Sequence, residues 1–155
     1  MKEMNKIADV VERVLKQNGV TVYRNRSSGN INLWLSESNY VKSDLHLAIH
    51  SNASGRGTAR GIEIYVDKET SPALSIATNI YQNLYQIYPG KYTPYTDRGV
   101  KYAVGSLGEA NDDFIPCGTL IEVAYHDNEE DARWIVENRE DIGNNIATSI
   151  INYYN

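Results

Sequence analysis

The sequence contains one cysteine, Cys117, so no disulfide can close within the chain. It has no run of lysine and arginine. Its net charge is −5 and its pI about 5.2, the reverse of the basic footprint of a nucleic-acid binder. No apolar run approaches the ~20 residues of a membrane span. The opening residues, MKEMNKIADVV, carry no apolar stretch of the kind that makes a signal peptide. There is no internal repeat, low-complexity tract or linker. The glycine-rich SGRGTARG at 54–61 lacks the GxxxxGK[ST] order of a phosphate cradle. Neither Ser51 nor Ser54 sits in a GxSxG elbow. What remains is an ordinary globular composition, 41% hydrophobic and 23% charged over 155 residues, which suits one domain with one core.

Hydrophobic periodicity alternates between helix and strand. Met4, Ile7, Ala8, Val11, Val14 and Leu15 recur at helical spacing, and Gly19 is placed to end that helix. Val20 to Tyr23 reads as a short strand, and Ile31 to about Lys42 as a weaker helix. Leu45 to Ala53 (LHLAIHSNA) and Gly61 to Val66 (GIEIYV) show the period-2 pattern of strands. Ser71 and Pro72 open a helix that runs to Tyr88 before Pro89 and Gly90. Residues 91–118 are irregular, with a short strand expected near Tyr102 to Leu107. Thr119 to Tyr125 is the last strand. Asp127 and Asn128 then cap a helix that begins Glu129, Glu130, Asp131, and a final helix follows from about Glu140 with Ile142, Ile146, Ile150 and Tyr153 on one stripe. Alternating strands and helices predict a single-domain α/β fold, with a mostly parallel twisted sheet and helices on both faces.

Two positions carry chemistry in this frame. His50 lies where a buried strand meets the polar Ser51-Asn52, the usual place for a ligand in such sheets. His46 shares its face but stands ~13 Å away at ~3.3 Å per residue, too far to bind the same metal at ~2 Å, and is expected to pack in the sheet. Glu122 sits between Ile121 and Val123, where an ionised carboxylate is costly unless partnered. It is therefore expected to have a partner or a raised pKa, both features of sites. Glu63 raises the same question more weakly, because Tyr65 shares its face. His126 is expected in a loop, and Cys117, after Pro116, in a turn.

MNKIADVVERVLKQNGVTVYRNR at 4–26, LHLAIHSNA at 45–53, ARGIEIYV at 59–66, DRGVKY at 97–102 and LIEVAYHDNEEDARWI at 120–135 together resemble the zinc-dependent N-acetylmuramoyl-L-alanine amidases of the type 3 family, endolysin- and sporulation-like members above all. The resemblance implies a peptidoglycan hydrolase that cleaves the amide between N-acetylmuramic acid and the L-alanine of the stem peptide. It implies zinc as cofactor, His50 as a zinc ligand, Glu122 as general base toward the attacking water, and Asn52 and Arg98 lining the substrate groove. It also implies peptidoglycan as the partner, with a wall-binding domain in the full-length protein, and a target in the bacterial cell wall, reached on lysis.

The family's first strand carries a Gly-His turn whose histidine is one zinc ligand, and a glutamate opening the first helix is another. Nothing in this sequence matches the first. Glu3 is the carboxylate nearest the second, but it falls about two residues late, which rotates it ~200° around the helix. The sequence thus reads as an N-terminally truncated amidase domain, 1–155, with one clear zinc ligand where a catalytic zinc takes three. The alternatives are an inactive amidase-like module that binds muropeptide, or an unrelated doubly wound domain with His50 and Glu122 more than ~10 Å apart.

Overall fold

The computed structural model describes residues 2–25 and 28–155. Among these residues, five α-helices and four strands follow one another: α1 (Lys2–Gln17), α2 (Ile31–Val41), β1 (His46–Asn52), β2 (Ile62–Val66), α3 (Leu74–Ile87), β3 (Asp97–Tyr102), β4 (Gly118–Tyr125), α4 (Glu129–Glu137) and α5 (Arg139–Tyr154). The sheet order is β1-β4-β2-β3. β1 runs parallel to β4 and β2 parallel to β3, while β2 and β4 are antiparallel, so the sheet is mixed and mostly parallel. Among the described residues, no helix is long and apolar enough to cross a membrane.

The sheet has one apolar and one polar face. Leu47 and Ile49 of β1, Ile121 and Val123 of β4, and Ile62, Ile64 and Val66 of β2 point to a single core against α1, α3, α4 and α5. α1 and α5 approach closely there, because a Cβ on Gly143 would stand 2.5 Å from the Cβ of Val10. Helices lie on both faces, but unequally. Among the described residues, the face that carries His46, Ala48 and His50 is covered by α2 and a 3-10 turn, Gly108–Ala110. In this layer Ala110 and Leu107 pack on Ala48 and Leu120, and Ser38 of α2 bonds His46. This thin cover leaves the polar face open at one end.

Local expectations differ from the structure at several places, among them the start of α3, which begins at Leu74 after Ala73 rather than at Ser71-Pro72. Val20 to Tyr23 is not a strand. The segment joins no ladder, and Arg24 just after it pairs with Asp9 and Glu12 on α1 instead. The irregular region does hold a strand, but at Asp97–Tyr102, earlier than 102–107. There Val100 turns inward, whereas Val104 is 71% exposed. Tyr153 leaves the buried stripe of α5 and stacks edge-on against Tyr154 at the surface.

Candidate active site

Strand register assembles the site. His50 of β1 lies opposite Glu122 of β4, and Glu122 lies opposite Glu63 of β2. One imidazole and two carboxylates thus form a row across three adjacent strands, on the polar face. The two candidates chosen from sequence are neighbours, as one shared site requires.

The row ends at a bulge. His50 pairs with Glu122 but Asn52 with Tyr125, so β4 carries one extra residue over this stretch. The bulge breaks strict alternation and turns Tyr125 to the polar face, where its hydroxyl donates to Glu63. Parity alone would have placed Tyr125 on the apolar face with Ile121 and Val123. The end of β1 is also held. Asn52 accepts at Oδ1 from the Ala53 N–H at 2.8 Å, and the Asn52 carbonyl accepts from His126 N–H at 2.9 Å. Past the strand ends, Asp127 gathers the glycine-rich loop. Its Oδ2 accepts from the backbone N–H groups of Ser54 (2.9 Å), Gly55 (2.8 Å) and Gly57 (3.2 Å). SGRGTARG therefore wraps a carboxylate of the chain itself.

The two carboxylates of the row have opposite surroundings. Glu63 is 2% exposed. It accepts from the hydroxyls of Tyr65 (2.6 Å) and Tyr125, and is paired with Arg98 at 2.9 Å and Lys101 at 3.0 Å. Burial pushes its pKa up, but the bonds from Tyr125, Tyr65 and Lys101 outweigh it and hold the group below the ordinary carboxylate value. Glu63 is thus a buried, fully partnered carboxylate. Glu122 has no such donors. Its Oε2 is buried without a hydrogen-bond partner. Burial raises its pKa to about 7; His50 opposes this, and the charges of Glu63 and Glu109 add to it.

Glu109 is the residue that sequence reading missed. It lies in the 3-10 turn, within the segment that had no readable period. Its Oε1 is 3.4 Å from His50 Nε2, and its side chain is only 15% exposed, against 46% for His50. Its carboxylate raises the His50 pKa above the usual histidine value, while burial works the other way. His46 packs in the sheet as expected. It is 8% exposed, its Nδ1 meets Ser38 Oγ at 2.8 Å, and burial depresses its pKa. His126 is an exposed turn residue beside Ser51. Glu3 is tied to Lys6 at 3.1 Å and to Arg139 on α5, which occupies it in a helix–helix contact. Arg98 faces the site from β3. Its guanidinium is held by Glu63, donates to the Arg60 carbonyl, and stacks 4.8 Å from the Tyr125 ring centre.

His50 and the carboxylates of Glu109 and Glu122 are of donor types that zinc accepts. The half-exposed His50 has its Nε2 3.4 Å from Glu109 Oε1, and Glu122 on the neighbouring strand keeps an orphaned oxygen. Among the described residues, no three His, Cys, Asp or Glu side chains converge into a metal-holding cluster.

The fold is shared with solved amidases. The chain superposes on N-acetylmuramoyl-L-alanine amidase AmiC2 of Nostoc punctiforme with a TM-score of 0.79 at 20% identity, covering 99% of this chain and 83% of that one. The catalytic domain of CwlV, an N-acetylmuramoyl-L-alanine amidase from Bacillus (Paenibacillus) polymyxa var. colistinus, gives 0.75 at 23% identity, covering 96% and 80%. The catalytic domain of the CD27L endolysin targeting Clostridia difficile gives 0.71 at 23% identity, covering 96% and 81%. No curated protein sequence matches significantly. The model of the family described as N-acetylmuramoyl-L-alanine amidase matches residues 2–152, nearly the whole chain. This chain belongs to the N-acetylmuramoyl-L-alanine amidase family, a family of hydrolases.

Proposed function

We propose that the chain cleaves the amide between N-acetylmuramic acid and L-alanine in peptidoglycan, with zinc held at His50 and Glu122 as the general base. One observation carries this reading: Glu122, raised to about 7, stands in register beside His50 on the neighbouring strand. A base poised near the working pH is half ionised there, so it can take a proton and return it. Bound at His50, zinc supplies Lewis acidity, acidifying a water molecule and polarising the scissile carbonyl. The protein's own groups do the rest. Glu122 takes the proton from the attacking water and passes it to the leaving L-alanine amine. Asn52, at the open end of β1, and Arg98, stacked on Tyr125, form the groove walls that orient the glycan–peptide junction. The target is the cell wall, and a wall-binding domain in the full-length protein would concentrate the enzyme on it.

Zinc-loaded protein incubated with purified peptidoglycan should release new N-terminal L-alanine without new reducing sugar ends. Glu122→Gln should abolish that release while zinc stays bound. Undiminished release by the variant sinks the assignment of the base. A second reading, muropeptide binding without cleavage, is favoured by the lack of a three-donor cluster among the described residues. Metal analysis separates the two: one zinc per chain supports the enzyme, and none supports the binding module.

A further inference from the structure

We propose that the groove between α3 and β3 is a saccharide-binding site, which holds the glycan strand of peptidoglycan beside the cleavage centre. The identity of the sugar rests on the amidase reading, and the site itself on its lining. β3 is an edge strand, with β2 as its one neighbour in the sheet order of the described residues. Between β3 and α3 lies an open groove of about 510 Å³, within the range that holds a small ligand. One wall is aromatic. Tyr81 and Tyr85, four residues apart on α3, lie nearly parallel, with ring centres 5.7 Å apart and planes at 13°. Tyr102, 51% exposed, lines the groove from the strand. Gln82 and Gln86, next along the helix, add exposed amides, and Asp97 adds a carboxylate that accepts from the Tyr81 hydroxyl.

A pyranose ring offers the complement. Its C–H faces stack on aromatic rings, and its hydroxyl and acetamido groups bond planar amides and carboxylates. The lining also excludes other ligands. Among its described residues there is no lysine or arginine, so a phosphate or carboxylate would find no counter-charge. Leu74 and Val100 are its only aliphatic side chains, too few for an acyl chain. The glycan of an uncleaved strand is neutral in the same way, because the lactyl carboxyl that bears the stem peptide is taken up in the amide. The groove also begins near the site. Asp97 pairs with Ile62, the neighbour of Glu63, and Glu63 stands opposite Glu122. Two strand spacings, about 10 Å, separate Glu122 from β3. The groove is on the α3 face and the Glu122 row on the other, so a bound glycan reaches the site around the β3 edge. The loop that leads into Asp97 carries Tyr92 and Tyr95, 85% and 90% exposed. Both have left-handed backbone, with φ of +69° and +72°, which is unfavourable for a bulky residue. Tyr92 N–H donates to the Tyr85 hydroxyl at 3.2 Å and ties this loop to the groove wall. Tyrosine thus runs along the edge from the groove to the site end of the sheet.

The test is sugar binding, read apart from hydrolysis. N-acetylglucosamine oligomers, which carry no stem peptide, are titrated into the isotope-labelled chain and followed by NMR. Amide signals should move along α3 and β3, at Gln82, Gln86 and Tyr102. Tyr102→Ala and Gln82→Ala, both at exposed positions, should each weaken binding at least about fivefold. Tyr23→Ala, at an exposed tyrosine outside the groove, should leave it unchanged. Cleavage adds a second readout. The two groove variants should raise KM on soluble glycan-linked fragments without changing kcat, and should match the parent on a muramoyl-peptide with no further sugar. Signals that move only around His50, or groove variants that bind as the parent does, overturn the proposal. Movement along the groove with a free stem peptide and none with the sugar overturns it too. If the parent binds sugar in the groove but releases no L-alanine from peptidoglycan, the groove stands and the amidase reading fails.

Discussion

Replacing Glu122 by glutamine in metal-free protein should stabilise the fold in alkali and leave it unchanged in acid. Burial is the main cause that lifts the Glu122 pKa from 4.5 to about 7. At about 1.4 kcal/mol per pH unit, this amounts to about 3 kcal/mol held against the ionised form. The folded state therefore keeps the proton more tightly than the unfolded chain. The contribution of this group to stability is complete below 4.5, falls as pH rises, and is gone above about 7. Glutamine cannot ionise, so the gap between variant and parent opens across that window. Its ceiling is about 3 kcal/mol. At about 2–4 °C per kcal/mol for a domain of this size, the variant should melt roughly 5–10 °C higher near pH 8 and alike near pH 4. Thermal melts followed by circular dichroism, in the presence of chelator across this range, read the difference directly. A variant less stable than the parent near pH 8, or a gap that ignores pH, would refute the argument. Either result would mean that the ionised Glu122 is well partnered in the fold.

Three further outcomes follow from other contacts. Asp131 is fully buried and accepts from Gly61 N–H (3.0 Å), Tyr125 N–H (3.1 Å), Tyr88 hydroxyl and Arg60, so Asp131→Ala should cost about 3–5 kcal/mol in urea unfolding. Gly61→Ala should destabilise by more than about 1 kcal/mol in the same assay, because φ is +110° and a Cβ would meet the Thr96 carbonyl at 2.4 Å. Glu63→Gln removes a negative charge opposite Glu122 and frees Arg98 and Lys101. It should therefore lower the Glu122 pKa and move the acid limb of the pH–rate profile to lower pH, in addition to its stability loss. An acid limb that stays in place would show that Glu122 does not feel Glu63.

The alternation of residues 45–53 and 119–125 made the two site strands readable, because period 2 over a half-buried sheet leaves a direct trace in sequence. It also put His50 and Glu122 on matching faces. Strand adjacency was not readable from spacing, because β1 and β4 are separated by β2, α3 and β3 in the chain and meet only in the sheet order. Glu109 left no trace at all. A three-residue turn has no period, and its place over the sheet comes from Ala110 and Leu107 packing with Ala48 and Leu120. Tyr125 was hidden for a different reason: a bulge reverses parity, and nothing local announces it. The expected strand at 20–23 failed because an extended, apolar-containing segment needs a partner strand, and α1 offered ion pairs instead.

Glu63 and Glu122 show why identity of side chain is a weak guide to role. Both are glutamates in apolar strands, opposite one another on adjacent strands of one sheet face. Glu63 meets two tyrosine hydroxyls, an arginine and a lysine, and so stays ionised although it is the more buried of the two. Glu122 meets an imidazole and like charges, with one oxygen unpartnered, and so rises to about 7. A carboxylate with all its lone pairs occupied has little affinity left for a proton, and little freedom to transfer one. A carboxylate starved of donors is unstable as an anion and gains by accepting a proton near neutral pH. The fold thus uses one residue type twice. Glu63 fixes the electrostatic floor with its cations and phenols. Glu122, set beside that fixed charge and beside His50, is the group of the pair whose charge changes near neutral pH.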